Sequence, residues 1–364
     1  MICLVAVLVC VGVQMVQSAS LTSRPSEKEL TYTTRHLTYL TVSVVAALIA
    51  SRMSAEFLQR NAQRLMLGLI ILLALLLVPG IGSRINGAQR WFRLGMFSVQ
   101  PSEFGRLILP LFAATALIRI RQTTGFRIHT VPRTLLPLAF VLPLVAIEPD
   151  LGATVFLATG YVLTLFLGGW PMRYFLISAI PAVPLVTSLL ILKPYQLQRI
   201  TGFLAAWQDL SQAPWQVRQS LLSLGSGGLM GTGIGGGWQK LSYLPEANTD
   251  FVFAVVGEEL GLSGTLTVCF VWLAVYLTGQ ASLRHLPRNS FQWIFGTSLL
   301  LQLVLQAMAN IAVVTALVPP KGVPHPFISY GGTNLLVSLI SVGLIAAMSQ
   351  CPGILSGTTQ GKCE

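Results

Sequence analysis

The chain has 364 residues, of which 53% are hydrophobic and only 10% charged, with a net charge of +11 and a mean hydropathy of +0.71. A soluble globular chain carries about 25% charged residues, so this composition excludes a water-soluble surface of that size and indicates a single polytopic membrane domain of the all-α class. The basic surplus is not gathered into a stripe with interleaved aromatics, which excludes nucleic acid as a partner and leaves the positive-inside bias of membrane proteins as its reading.

About ten apolar stretches, at 1–19, 37–53, 65–83, 104–118, 134–148, 151–169, 174–192, 251–277, 291–316 and 333–349, are each long enough to cross a bilayer as a helix. The first ends in Val16-Gln-Ser-Ala-Ser20, which has the small residues of a signal-peptide cleavage site but lacks the basic region that should precede one. It reads as a first spanning helix with almost no tail before it.

Between the third and fourth stretches lie Gly87-Ala-Gln-Arg-Trp-Phe-Arg-Leu-Gly95 and Gln100-Pro-Ser-Glu-Phe-Gly-Arg106. Arg90, Trp91 and Arg93 suit an interfacial segment that grips phosphate and headgroup. Pro101-Ser102-Glu103 should open a helix, where Glu103 and Arg106 can pair at i,i+3. Arg106, a basic residue inside a span, needs such a partner or a polar cavity, unless it simply snorkels. Pro110, Pro137 and Pro143 fall within spans, where neighbouring helices can satisfy the freed carbonyls.

The fifth and sixth stretches are joined by the tight turn Glu148-Pro149-Asp150. Its acids could hold a divalent cation or pair with Arg106, although Pro-Asp also has a plain turn-forming role, which these residues favour on their own. The largest polar interval, 193–250, is long for a connector. It should fold as short helices over the outer face, with Trp207, Trp215 and Trp238 packing at the interface. Within it, Gly225–Gly237 lacks the GK[ST] ending of a P-loop. Its backbone could still approach a pyrophosphate beside Lys240, or it could be a flexible loop.

Glu246, Asp250, Glu258 and Glu259 place four of the chain's 12 acids within fourteen positions, at the start of a long apolar run. An Asp at a helix centre costs roughly 2.5–3.5 kcal/mol on insertion scales, so such charge suggests function. If 246–250 is helical, with Pro245 at its start, Glu246 and Asp250 share one face. Two readings are then evenly weighted: a general base, or a helix-start acid answering the dipole. Further on, Pro319–Gly332 holds four prolines and three glycines, which cannot make a regular helix but suit a rigid re-entrant segment lining a cavity. No pattern singles out His325. A short cytoplasmic tail follows from about 350 to 364. Cys3, Cys10, Cys269, Cys351 and Cys363 form no disulfide or zinc pattern.

With the N-terminus inside, the cytoplasmic loops hold Arg60, Arg64, Arg119, Arg121, Arg127, Arg133, Arg173, Arg284 and Arg288, opposed almost solely by Glu56. The opposite loops mix basic residues with Glu27, Glu29, Glu103, Asp150, Asp209, Glu246 and Asp250. That chemically mixed face suits a site.

Five separated motifs, in order along nearly the whole chain, resemble the FtsW/RodA/SpoVE (SEDS) family. They are Gln89-Arg-Trp with Gln100-Pro-Ser-Glu-Phe104, Glu148-Pro-Asp-Leu-Gly152, Gln219-Ser-Leu with Gly225-Ser-Gly-Gly-Leu229, Gln239-Lys-Leu with Leu244-Pro-Glu-Ala-Asn-Thr-Asp-Phe-Val-Phe-Ala-Val-Val-Gly-Glu-Glu-Leu-Gly261, and Pro326-Phe-Ile-Ser-Tyr-Gly-Gly332. The resemblance implies a ten-helix peptidoglycan glycosyltransferase of the bacterial cytoplasmic (inner) membrane. Such an enzyme polymerises lipid II at the outer face and works with a class B penicillin-binding transpeptidase and other division-site membrane proteins. It implies that Asp250, in Thr249-Asp250-Phe251, is the catalytic base, with undecaprenyl diphosphate leaving in a single inverting displacement. Arg90, Arg93, Arg106 and Lys240 are the candidate cations for the diphosphate, and Glu103, Glu246 and Ser329 are further candidate substrate contacts. Single-displacement chemistry asks for one base, which leaves Glu258 and Glu259 to packing or pairing. The cofactor expectation is at most a divalent cation, Mg or Mn, on Glu148 and Asp150.

The chain departs from the family pattern at Arg106, where Lys is usual, at His325 in place of Leu, at Trp215 in place of Tyr, and at Gln17 in place of Tyr. Lys321-Gly322 resembles the division branch more than the elongation branch. A lipid II flippase, an elongation-type polymerase and a non-catalytic scaffold are the alternatives. The hydropathy pattern shows no inverted repeat, which counts against the flippase.

Overall fold

The computed structural model describes residues 1–20, 27–85, 88–95, 97–148, 150–191, 201–204, 207, 209, 213–238 and 246–350. Among these are eleven helices: α1 (Ile2–Ser20), α2 (Glu27–Ala50), α3 (Ala55–Leu76), α4 (Pro101–Thr123), α5 (Thr130–Ile147), α6 (Leu151–Leu167), α7 (Met172–Ile191), α8 (Trp215–Ser226), α9 (Val252–Leu283), α10 (Phe291–Val314) and α11 (Gly332–Met348). Each of the ten apolar stretches falls on one of them, and α8 is a short helix within the polar interval. By length and composition alone, α1, α5, α9 and α10 suffice to cross a membrane, and the count rises to five if α2 and α3 form one bent span. The shorter apolar helices α6 and α11 have 17 residues each. The expected tail at 351–364 lies outside the described residues.

The chain groups into two compact units, one of residues 1–39, 171–275 and 304–335, the other of 40–170, 276–303 and from 336 onward. In the second, α3 begins about ten residues before the apolar stretch that announces it. Ser54 caps it, its Oγ accepting from the Phe57 N–H at 3.2 Å, and a polar first turn is thereby drawn into the helix. Leu58, Ala62, Met66, Leu69, Leu73 and Leu76 recur at helical spacing and form the buried face. α4 packs against α3 and α6, and α5 against α6. Pro101 stands in the first turn of α4, as the sequence predicts, and Pro110, Pro137 and Pro143 lie inside helices.

One local element departs from the all-helical expectation. The interfacial segment is a three-stranded antiparallel meander, β1 (Ser83–Ile85), β2 (Ala88–Leu94) and β3 (Phe97–Val99), in that order. Phe92 pairs with Val99 and Arg93 with Ser98. The reversal between β2 and β3 passes through Gly95, whose φ of +62° suits a tight turn.

In the first unit the run Phe251–Val256 is 0–3% exposed, so the apolar start of α9 lies wholly in the core. α9 is broken at Gly261, with φ 67° and ψ −163°. The glycine-rich stretch repairs that break. Thr232 and Gly233 N–H groups donate to the Glu258 and Glu259 carbonyls at 3.0 Å each, while Leu262 and Ser263 N–H groups donate to Gly228 and Leu229 carbonyls at 2.9 and 3.2 Å. Residues 228–233 are therefore tied by their backbone to α9 on both sides of the break, although most of their side chains are exposed. Within the interval, Trp207, Trp215 and Trp238 are all exposed.

Candidate active site

In the first unit the acids begin with Glu246, whose φ of +56° is a left-handed conformation uncommon for a side chain of its size. That backbone twist lets the Glu246 carbonyl accept from both the Thr249 and Phe251 N–H groups, at 3.1 and 3.2 Å. Residues 246–250 are consequently turns, and the helix starts only at Val252. The i,i+4 helical face expected for Glu246 and Asp250 does not form. Glu246 instead accepts the Thr249 hydroxyl at 2.9 Å through its own carboxylate, a local turn bond, and is exposed. Pro245 lies outside the described residues.

Asp250 is half-buried, and its backbone is clamped to the 319–331 segment. Asn310 on α10 donates through one Nδ2 to the Asp250 carbonyl and to the Val323 carbonyl, both at 2.7 Å. Ser329 Oγ donates to the Thr249 carbonyl and accepts from the His325 N–H at 2.7 Å. Tyr330 N–H donates to the Asn248 carbonyl at 2.7 Å. Ser329 thus acts here as a positioning residue behind the turn. Gly322 stands so close that a Cβ there would lie 2.9 Å from Asp250 Oδ2. The 319–331 segment is irregular, as its prolines require, and the core holds it. Phe327, at φ +68°, stacks on Trp272 with ring centres 5.7 Å apart, and His325, fully buried, stacks on Phe253 at 6.2 Å. His325 is therefore a packing residue.

Asn310 was not singled out in the sequence, and Gly322 only as a mark of the division branch, not as a neighbour of Asp250. Gln302, Gln306 and Asn310 repeat every fourth residue along α10, a buried polar stripe in an apolar helix. That is the signal that could have found Asn310. Gln306 continues the clamp, donating to the Pro324 carbonyl at 2.8 Å.

Glu258 and Glu259 are buried. Glu258 Oε1 accepts the Trp238 N–H at 2.6 Å, and Glu259 Oε1 accepts Ser18 Oγ of α1 at 2.5 Å. Their side chains thus pair with other parts of the first unit, in line with the pairing role expected of them, while their backbone carbonyls serve the break in α9. Lys240 lies outside the described residues.

The second unit gathers the candidate acids Glu103, Glu148 and Asp150 and three of the candidate cations. Arg106 pairs with Glu103 at 2.7 Å, as the i,i+3 spacing predicts, and its guanidinium lies 5.6 Å from the centre of the Phe156 ring. Asp150 does not pair with Arg106. Its Oδ1 caps α6 by accepting the Ala153 N–H at 2.9 Å, while Oδ2 faces Arg90 at 3.4 Å and Gln100 at 3.4 Å. Arg90 Nε also donates to the Glu148 carbonyl at 2.8 Å. The meander carries Arg90 to the turn, which no helical spacing could foresee. Arg93, on the same strand, is exposed.

The Glu148 side chain is 1% exposed, and neither carboxylate oxygen has a hydrogen-bond partner. It stands in the turn after α5, where burial, with the nearby Asp150 charge, raises its carboxyl to about 8 against the opposing pull of Arg90. A divalent cation wants ionised carboxylates and retained water. Asp150 is already engaged by its cap and by Arg90, and among the described residues no further Asp, Glu, His or Cys joins the pair to complete a metal-binding group.

The sequence profile of the FTSW_RODA_SPOVE family, described as cell cycle proteins, matches residues 1–351. A probable peptidoglycan glycosyltransferase FtsW of Trichlorobacter lovleyi is 36% identical over 354 residues, covering 95% of this chain and 91% of that one. One of the same name from Coxiella burnetii is 37% identical over 347 residues, covering 93% and 92%. Among solved structures, a chain of a peptidoglycan synthase complex that coordinates polymerization and crosslinking superposes with a TM-score of 0.75 at 26% identity, over 96% of each chain. The rod shape determining protein RodA of Thermus thermophilus superposes with a TM-score of 0.67 at 26% identity, over 96% of this chain and 95% of that one.

Proposed function

The chain belongs to the FtsW/RodA/SpoVE family of cell cycle proteins, and on that premise we propose that it is a peptidoglycan glycosyltransferase polymerising lipid II at the outer face of the bacterial inner membrane. The observation that carries this reading is the setting of Asp250: a half-buried carboxylate on a turn whose backbone is fixed by Asn310 and Ser329. A general base must be held at one place while its oxygens stay reachable, and such help is worth about 10²–10⁴-fold in rate.

Asp250 takes the proton of an acceptor sugar hydroxyl as that oxygen attacks the anomeric carbon of the lipid-linked donor. The bond to undecaprenyl diphosphate breaks in the same displacement, with inversion at that carbon. Cations are needed where the diphosphate gains charge, and the candidates remain Arg90, Arg93, Arg106 and Lys240. The exposed Arg93 is the readiest of the three described ones, because Arg90 and Arg106 already serve Asp150 and Glu103. No step is assigned to a metal on Glu148 and Asp150. The partner is a class B penicillin-binding transpeptidase, supported by the likeness to a chain of a peptidoglycan synthase complex. Septal synthesis in division is the favoured setting, supported by the relatives named FtsW and by Lys321-Gly322.

The test is polymerisation of purified lipid II by the chain with its transpeptidase. Glycan strands form with the native protein, and Asp250→Asn abolishes them while leaving the protein folded. Strand formation by that variant at more than about a hundredth of the native rate would overturn the assignment of the base. Lipid II translocation without polymerisation would indicate a flippase instead.

A further inference from the structure

The second unit carries a feature that shares no residue with either carboxylate cluster. Where the first turns of α3, the last turns of α4 and the start of α10 meet, a cavity of about 320 Å³ is lined by Gln59, Ile118, Arg121, Gln122, Asn289 and Gln292, among others. A second, of about 240 Å³, shares Gln59, Ile118 and Gln122 with it and adds Arg60, Thr115 and Arg119. Neither is lined by an Asp or Glu.

The lining is strongly weighted toward hydrogen-bond donors. Arg121 is held in place: its guanidinium donates to the Gly168 carbonyl and, at 3.1 Å, to Asn289 Oδ1, and it lies 5.6 Å from the centre of the Phe126 ring. Arg60 and Arg119 are exposed, and among the described residues neither forms an ion pair. Glu56 stands one turn before Arg60 on α3 but does not line either cavity. One held guanidinium lines the first cavity and two exposed ones line the second, which shares three residues with it, and with no acid in either lining the pair suits a phosphate diester, which accepts forked donation from arginine.

The apolar surroundings identify the source of that phosphate. Phe57 and Leu65 on α3 are 52% and 40% exposed, and Ile128 beyond α4 is 63% exposed. Arginines beside exposed apolar side chains at helix ends mark the level of lipid headgroups, on the face that the arginine bias assigns to the cytoplasm. We propose that this double cavity binds the phosphate headgroup of an anionic phospholipid.

The test uses the full chain in nanodiscs of mixed phosphatidylglycerol and phosphatidylcholine, with the lipids retained on the released protein counted by native mass spectrometry. Phosphatidylglycerol is retained in preference to phosphatidylcholine. R60Q/R119Q lowers that retention about tenfold, the scale expected for two arginines near an anionic headgroup. R64Q/R284Q removes the same charge from the same face away from the cavities and changes retention less than about twofold. R60K/R119K, which keeps charge without the fork, retains less lipid than the native protein and more than R60Q/R119Q, and a single symmetric elution peak on size exclusion reports that each variant is folded. Retention without headgroup preference, equal losses in the two glutamine variants, or displacement of the lipid by millimolar inorganic phosphate would each overturn the proposal. The last result would mean a site for free anions.

Discussion

Asp250 is legible in the sequence as a charge where charge is costly, but its environment is not. The chain spacing that would put it on a helix with Glu246 fails because Glu246 adopts a left-handed backbone, which only the closed turn at 246–251 requires. What fixes Asp250 comes from residues 60 to 80 positions away, Asn310 and Ser329. Gly322 belongs to the same arrangement. In Gly322→Ala the new methyl displaces the carboxylate it would meet at 2.9 Å. The expected result is a polymerisation rate lowered about ten- to a hundredfold with thermal stability nearly unchanged, measured by strand formation from lipid II alongside a melting curve. Glu148 makes a different residue-scale prediction. Its folded carboxyl titrates near 8, above its ordinary value of 4.5, so between those values the folded state holds a proton that the unfolded state has lost. That contribution to stability is present in full below about pH 4.5 and is lost as pH rises toward 8. Glu148→Gln removes it. The variant's melting temperature, followed from pH 5 to 8.5, should fall less steeply than that of the native protein.

The same contrast holds at the scale of elements. Hydropathy locates ten helices because burial in lipid demands long apolar runs. It misplaces the start of α3, where a Ser54 cap extends the helix into polar residues, and it does not reveal the β1–β2–β3 meander, which is too short and too polar to leave a period. The glycine-rich stretch is visible as composition only. Its role follows from Gly261, whose φ and ψ are open essentially to glycine alone. Breaking α9 there strands backbone groups, and residues 228–233 supply their partners. Gly261→Ala forces either an unfavourable backbone or a straightened helix that loses those partners. A destabilisation of about 1–3 kcal/mol is expected, read as a lower melting temperature in detergent together with faster proteolysis within 225–237.

For the whole molecule, the composition decides membrane residence without reference to any contact, and the arginine distribution predicts an orientation. A cysteine in place of Thr124, in the turn after α4, should react with an impermeant maleimide only after lysis. One in place of Ile234, which is 64% exposed, should react in intact spheroplasts. The opposite labelling would reverse the assignment of faces. The sequence by itself determined the membrane class, the position of the apolar helices, the pairing of Glu103 with Arg106 and, through its motifs, the family. All of these rest on short-range spacing or on summed hydrophobicity, which the linear chain carries in full. Only the tertiary structure decided that Asp150 turns to Arg90, that Asn310 and Ser329 hold the Asp250 turn, and that a glycine loop completes the break in α9. Each of these joins groups well separated in the chain, whose unmet hydrogen bonds or charges select partners only once packing has brought them within reach.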